Sequence, residues 1–395
     1  MSGPLAGLRV VDLCSMVSGP VCASTLTDQG ADVIKVETLT GDHMRHSNSS
    51  VHGLASSFIS CNRGKRSIAM NLKCDEGREI LWKLVLKADV FIQNFRPGAI
   101  ERLGFGEPQV RERNARIVYV SISGVGESGP YAGKRVYDPV IQALSGMADI
   151  QADPTTGRPH MVRTILVDKA TGIYAAQAVT AALFNREHSG QGQHVRISML
   201  DTMVSLLWPE GMATHTTLSD GDAAPNVSVH DMIFETEDGF ITVGAVSNAE
   251  WKGLCDALRK PEWIDDPRFG TPAARNANRQ LRLDLVSDEL RHGTRAEWLQ
   301  ALEQADVPCA PVLRRREVID DPQVRENELV VEFDHPHVGR VRQARPAARF
   351  DRSPAVIAGP APLLGEHTRS ILSDLDYGAD EIDDLVNAGA VGVAE

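Results

Sequence analysis

Leu8-Arg9-Val10-Val11-Asp12-Leu13, a stretch opened by Ser18-Gly19-Pro20 that runs to Gln29, then Gly30 and Val33-Ile34-Lys35-Val36-Glu37 decide how this chain folds. The two apolar runs have strand length. Between them Ser18 is placed to cap a helix and Gly30 to stop it. The spacing predicts a βαβ unit.

The same alternation continues outward from that unit. Ser67 to Asn71, Val90 to Asn94 and Ile117 to Ser123 read as strands, Asp75 to Ala88 as a helix, and the stretches near Ala99 and Pro108 as short helices. Ile80, Leu81, Leu84, Val85 and Ala88 fall on one helical face. The fold class is therefore α/β, with a mostly parallel sheet covered by helices. Asp138 to Ala148 and Asp168 to Glu187 read as further helices, and His194 to Leu200 as a strand.

A chain of 395 residues exceeds one ordinary core. Asp220 to Asn226 turns polar and Pro/Gly-bearing, so residues 1–225 are expected to form a large domain and 226–315 a small one. The small one holds a strand at Phe240 to Gly244 and helices around Trp251 and Trp298. Residues 316–395 are expected to return to the large domain, with hairpin-like runs at Leu329 to Phe333 and Arg340 to Arg345 and an acidic amphipathic helix at the end.

A dinucleotide-binding domain would place its glycine fingerprint after the first strand. Here that turn reads Cys14-Ser15-Met16-Val17-Ser18-Gly19. The G-x-G-x-x-G at Gly124 to Gly129 is followed by Pro130 and Gly133 rather than by a helix, so it reads as a turn that lets backbone approach a neighbour closely.

The net charge of −12 disfavours a nucleic-acid surface. No stretch approaches the ~18 uninterrupted apolar residues of a membrane span. The six cysteines are scattered without C-x-x-C spacing, as expected for thiols in the cytoplasm. His43 with His46, and His335 with His337, lack the spacing of a metal site, so no metal is expected.

Three groups of cations stand out against the acidic background: Arg63, Lys65 and Arg66; Arg96 with Arg102; Lys134 and Arg135. Gathered near sheet ends they suit a multiply charged phosphate ligand. Thr164-Ile165-Leu166-Val167-Asp168-Lys169-Ala170-Thr171-Gly172 sets a carboxylate at the mouth of an alanine-rich helix. Asp168 admits two readings, a helix cap with Thr171 in reach, or a nucleophile. No G-x-S-x-G is present, which leaves that carboxylate as the candidate for covalent chemistry.

Nearly end to end, the chain resembles the class III coenzyme A transferases, the formyl-CoA and carnitine CoA transferase type that also includes α-methylacyl-CoA racemase. The resemblance rests on Pro4 to Asp12, Gly30 to Glu37, Asn62-Arg63-Gly64-Lys65-Arg66-Ser67, Asn94-Phe95-Arg96-Pro97-Gly98, Gly129-Pro130-Tyr131 and Leu364-Gly365-Glu366-His367-Thr368. It implies Asp168 as nucleophile. It implies a coenzyme pocket of Val17, Ser18, Met70, Asn71, Leu72, Lys73, Asn94, Phe95, Arg96, Arg102, Arg135, Val136, Tyr137 and Asp138. It also implies ring-like subunits, each with a Rossmann-like large domain and a smaller α+β domain, interlocked in a homodimer. Coenzyme A and acyl-CoA would be substrates, with a carboxylic acid as acceptor and no resident cofactor.

Two departures matter. Thr38-Leu39 stands where many members carry Arg or Pro, with Arg45 as a nearby replacement charge. Gly244-Ala245-Val246-Ser247-Asn248 lacks the glycine run of formyl-CoA transferases, so formate and oxalate are not implied. The racemases resemble this chain at Asp168 but add a His where Tyr137 stands, and Tyr, with a reference pKa of ~10, is a poor neutral-pH replacement. Transfer of CoA through an aspartyl-CoA intermediate is expected. The alternatives are a 2-methylacyl-CoA racemase and a non-catalytic CoA-binding regulator. Oxyanion donors are sought at Gly19, Gly124 and Gly244.

Overall fold

The computed structural model describes residues 3–47, 50–218 and 232–394. The chain divides into two compact units, Met1–Asn226 with Glu328–Glu395, and Val227–Asn327. The polar stretch Asp220 to Asn226 lies outside the described residues. Short helices at Arg315–Val318 and Pro322–Glu326 belong to the second unit, so the chain returns to the first at Glu328 rather than at 316.

The first unit runs β1 (Arg9–Asp12), α1 (Ser18–Asp28), β2 (Asp32–Glu37), α2 (Ser56–Asn62), β3 (Arg66–Met70), α3 (Asp75–Leu86), β4 (Val90–Gln93), α4 (Ala99–Arg102), α5 (Glu107–Arg113), β5 (Val118–Ser123), α6 (Asp138–Leu144), α7 (Met147–Ile150), α8 (Leu166–Ser189), β6 (His194–Ser198) and α9 (Met199–Leu207). A seven-stranded sheet has the order Val391–Gly392, β3, β2, β1, β4, β5, β6. All neighbours in it are parallel except Val391–Gly392, which runs antiparallel to β3.

The inner strands are mostly apolar because both faces of the sheet are covered. Val10, Val33, Val90, Ile92, Val118 and Val120 pack on one side against Cys22 and Leu26 of α1 and Ala175, Ala176 and Val179 of α8. Val11, Ile34, Phe91 and Tyr119 pack on the other against Ile80, Leu81, Leu84 and Val85 of α3 and Ile371, Leu372 and Ile382 near the C-terminus.

Several element ends differ from the sequence expectation. Ser18 is the first helical residue of α1 rather than its cap, a position held by Val17 without any side-chain bond. The helix expected over 138–148 is two, because Gly146 takes a left-handed φ of 84° between them. The strand at His194 ends at Ser198, whose hydroxyl accepts the Asp201 amide and starts α9 at Met199.

The second unit holds an antiparallel sheet of Ile233–Thr236, Gly239–Val243 and Cys309–Pro311 with helices that include Asn248–Ala257 and Arg295–Gln304. Trp251, Phe269, Leu290 and Leu302 form its own core. The Gly244 to Asn248 segment ends in a capping box, in which Ser247 accepts the Glu250 amide and Glu250 accepts the Ser247 amide. Among the described residues, no helix is long and apolar enough to cross a membrane.

Candidate functional site

The strand order reverses beside β1, whose neighbours are β2 and β4. Loops at the carboxyl ends of strands on either side of such a switch open a crevice. Here the loops after β1 and β4 are stitched together: the Ser15 amide donates to Asn94 Oδ1 at 3.0 Å, and Asn94 Nδ2 donates to the Ser15 carbonyl at 2.8 Å. The stitch fixes the approach to α1.

Asp168 is the third residue of α8 and does not cap it. Thr171, which a cap would have reached, donates instead to the Val167 carbonyl at 2.8 Å. The cap comes from outside the helix: buried Asp138 at the start of α6 accepts the Val167 amide at 2.8 Å and the Asp168 amide at 3.3 Å through one oxygen. Its other oxygen accepts Gln142 Nε2 at 2.6 Å. Gln142 also accepts the Val162 amide at 2.9 Å, tying down the chain that leads into α8.

The Asp168 carboxylate is left to face α1. Burial raises its carboxyl above the ordinary value of 3.8, hydrogen bonding by the Ser18 hydroxyl opposes the rise, the Asp138 charge adds to it and the Ser18 amide opposes it again. Ser18 stands in the first turn of α1, where amides have no intrahelical acceptor and the helix end carries positive potential.

Gly172, one turn after Asp168, permits the closeness. A Cβ there would lie 2.6 Å from the Ser18 carbonyl oxygen and 2.8 Å from Val21 Cβ. Sequence reading stopped at Asp168 and missed it, although a glycine inside an alanine-rich helix is itself a packing signal. Gly19 has a parallel role, since a Cβ there would lie 2.3 Å from both Cys14 Cβ and Sγ.

The cation groups separate cleanly. Arg63 is consumed by Asp28, at 3.0 and 2.6 Å, and Arg66 by Asp32, at 2.9 and 2.6 Å, with Asp374 beside it. Lys65 is buried against Asp12 at 2.9 Å. This group stands at the start of β3, at the end of the strand away from its carboxyl edge, and is committed to acidic partners rather than to a ligand. Arg45 is likewise unavailable as a replacement charge, being buried in a bidentate pair with Glu37 at 2.8 and 2.7 Å.

Lys73, Arg96, Arg102 and Arg135, by contrast, are exposed, and none has an ion-pair partner among the described residues. They follow β3, β4 and β5 at their carboxyl ends. Asn71 and Leu72 are half-buried, Leu72 packing on the core beside α3, and Tyr137 is exposed. Other residues in the implied pocket are turned inward. Met70 is a core residue at 1% exposure, Val17 is buried, and Phe95 packs on the core behind α3 while its amide donates to Gln93 at 2.8 Å. Val136 lies where a Cβ on Gly124 would meet it at 1.9 Å, so the glycine-rich turn does approach a neighbour closely.

A family model described as CoA-transferase family III matches residues 5–368. The chain belongs to this family. The human succinyl-CoA:glutarate CoA-transferase (Homo sapiens) is 34% identical to it, over 98% of this chain and 90% of the relative. A formyl-CoA:oxalate CoA-transferase of Escherichia coli is 33% identical, over 97% of this chain and 98% of the relative. Among solved structures, a CAIB/BAIF family protein from Brucella suis superposes with a TM-score of 0.83 at 32% identity, covering 95% of this chain and all of that one. This family III transferase thus shares its fold with a CAIB/BAIF family protein and nearly its whole length with relatives named as CoA-transferases.

Proposed function

We propose that this CoA-transferase moves coenzyme A from an acyl-CoA thioester to a free carboxylic acid through Asp168. The observation that carries the reading is the half-buried Asp168 carboxylate held at the open end of α1, its own helix capped by Asp138 instead. The ionised carboxylate attacks the thioester carbonyl, giving a mixed anhydride and a CoA thiolate. The thiolate attacks the aspartyl carbonyl, releasing the donor acid and leaving aspartyl-CoA. The acceptor carboxylate then attacks that thioester to form a second anhydride, and the thiolate leaves with the acceptor acyl group, restoring Asp168.

The Ser18 and Gly19 amides supply donors for the tetrahedral oxyanions. Lys73, Arg96, Arg102 and Arg135 bind the phosphates and hold the thiolate close between steps. Among the described residues the groups that bear on Asp168 are Ser18, Asp138 and Cys61 rather than a histidine, which speaks against the acid–base pair of a racemase. Apolar side chains exposed on α8, Ile173 at 59% and Phe184 at 70%, support a homodimer of the interlocked type that the family resemblance implies. The free cysteines support a reducing compartment, the cytoplasm.

The test is peptide mass spectrometry with hydroxylamine trapping after mixing with donor and acceptor pairs. Succinyl-CoA with glutarate and formyl-CoA with oxalate, the substrates in the relatives' names, form the first panel. The expected result is a CoA-sized adduct on the Asp168 peptide without hydroxylamine and an aspartyl hydroxamate, with CoA released, in its presence; both are absent in Asp168→Ala. α-Proton exchange in deuterated water without an adduct would replace the reading with a racemase. Tight CoA binding with neither would replace it with a regulator.

A further inference from the structure

We infer that Lys35 and Asp42 are positioning residues that lock the Cys14–Met16 turn and, through it, the Ser18 donors facing Asp168. The inference rests on the reading of Asp168 as nucleophile. Both side chains are buried and paired at 3.0 Å, Lys35 on β2 and Asp42 in the loop that follows it. Their remaining hydrogen bonds go to main chain, and to one short turn above all. Lys35 Nζ donates to the Cys14 carbonyl at 2.8 Å, and Asp42 Oδ1 accepts the Met16 amide at 3.2 Å and the Met44 amide at 3.0 Å.

The neighbours complete the lock. Asp12 accepts the Cys14 amide at 2.9 Å, while Asn94 takes both main-chain groups of Ser15. Glu37 accepts the Asp42 amide at 3.1 Å and is itself held by Arg45 and Ser67. Every amide from Cys14 to Met16 therefore has a side-chain acceptor. The turn needs such restraint, because Met16 sits at a left-handed φ of 67° that side chains rarely adopt. Two residues later the chain reaches Ser18.

A buried ion pair is a poor device for stability alone, since apolar replacements of similar volume are often neutral. It is a good device for fixing polar main chain in one geometry, which is what a site tolerant of only small displacements requires. Released from its clamps, the turn would let Ser18 drift from Asp168 and so remove the hydrogen bonding that opposes the rise of its carboxyl. The titratable and charged groups around that carboxyl are Asp138 from α6 and Cys61 from α2, with Ser18 from α1 as its polar partner, and none of these is altered by the test.

The test compares wild type with Lys35→Met/Asp42→Asn, a double change that removes both charges together and strands neither. Melting and CoA binding are measured first, then the rate of hydroxylamine-trappable aspartyl-CoA formation across pH. The expected result is a folded protein with acyl-CoA KM within about twofold of wild type, kcat down roughly 10–100-fold, and the acid limb of the rate moved upward by up to about one pH unit. Lys35→Gln/Asp42→Asn, equally neutral but keeping an amide donor towards Cys14 and an amide acceptor for Met16, should show a smaller drop with the same direction of shift, and serves if the first double variant does not fold.

Wild-type kcat in the folded variant overturns the inference. So does a drop that tracks lost thermal stability with the acid limb unmoved. Retained transfer in Asp168→Ala would instead overturn the nucleophile reading beneath it, so the two failures are distinguishable.

Discussion

Gly172→Ala adds one methyl group where α8 meets the start of α1. The new Cβ would stand 2.6 Å from the Ser18 carbonyl oxygen and 2.8 Å from Val21 Cβ. Ordinary contact begins near 3.5 Å, so the two helices must part by about 0.7–0.9 Å at this point. Overpacking of this kind costs about 1–3 kcal/mol, and the gain of a good helix former returns about 1 kcal/mol. The net loss of about 0–2 kcal/mol lowers Tm by a few degrees at most in a chain of this size. A shift approaching 1 Å at the reacting carboxylate costs on the order of a hundredfold in rate. Activity should therefore fall far more than stability. Quenched-flow measurement of aspartyl-CoA formation beside a melting curve reads both, and a folded Gly172→Ala enzyme with wild-type kcat and KM would refute the argument.

The pH dependence has a definite sign. With its carboxyl raised above 3.8, folded Asp168 holds its proton to higher pH than the unfolded chain does, so its ionisation lowers stability as pH rises from 3.8 through the folded value. Asp168→Asn, always neutral, should melt higher than wild type at pH 7, with the difference closing as pH falls through the folded value to about 4; equal Tm values at pH 7 would contradict the burial argument. The separation of cation groups is tested by pairing variants. Arg96→Ala or Arg102→Ala should raise acyl-CoA KM several-fold in low salt and less in high salt, whereas Arg63→Ala should lower Tm and leave KM near wild type. A large KM effect from Arg63→Ala would return that group to the ligand.

The α/β alternation was legible because strand-length apolar runs and a one-faced helix at Ile80 to Ala88 obey different periods. Strand pairing with Val391–Gly392 was not legible, since a two-residue strand carries no period. Arg63, Lys65 and Arg66 looked like ligand cations because a sequence shows charges but not their partners. Asp28, Asp12 and Asp32 meet them only after the sheet has formed. The start of α8 was misplaced for a related reason: the expected cap was sought on the helix itself, while the residue that supplies it lies 30 positions upstream.

That displaced cap leaves the Asp168 carboxylate free of the amides of its own helix, as the proposed mechanism requires. Had Asp168 capped α8, its oxygens would have been occupied by local amides and its carboxyl held low, which makes a weak nucleophile. Asp138 takes the amides instead, and its charge raises the Asp168 carboxyl further through like-charge repulsion. Ser18 opposes that rise without cancelling it, so the carboxyl stays above the ordinary aspartate value. In the proposed mechanism two acids divide the labour, Asp138 bound to main chain and Asp168 left facing an open helix end. The same division fixes position, because the Asp138 and Gln142 bonds hold the backbone of α8 on one side and Gly172 admits α1 on the other.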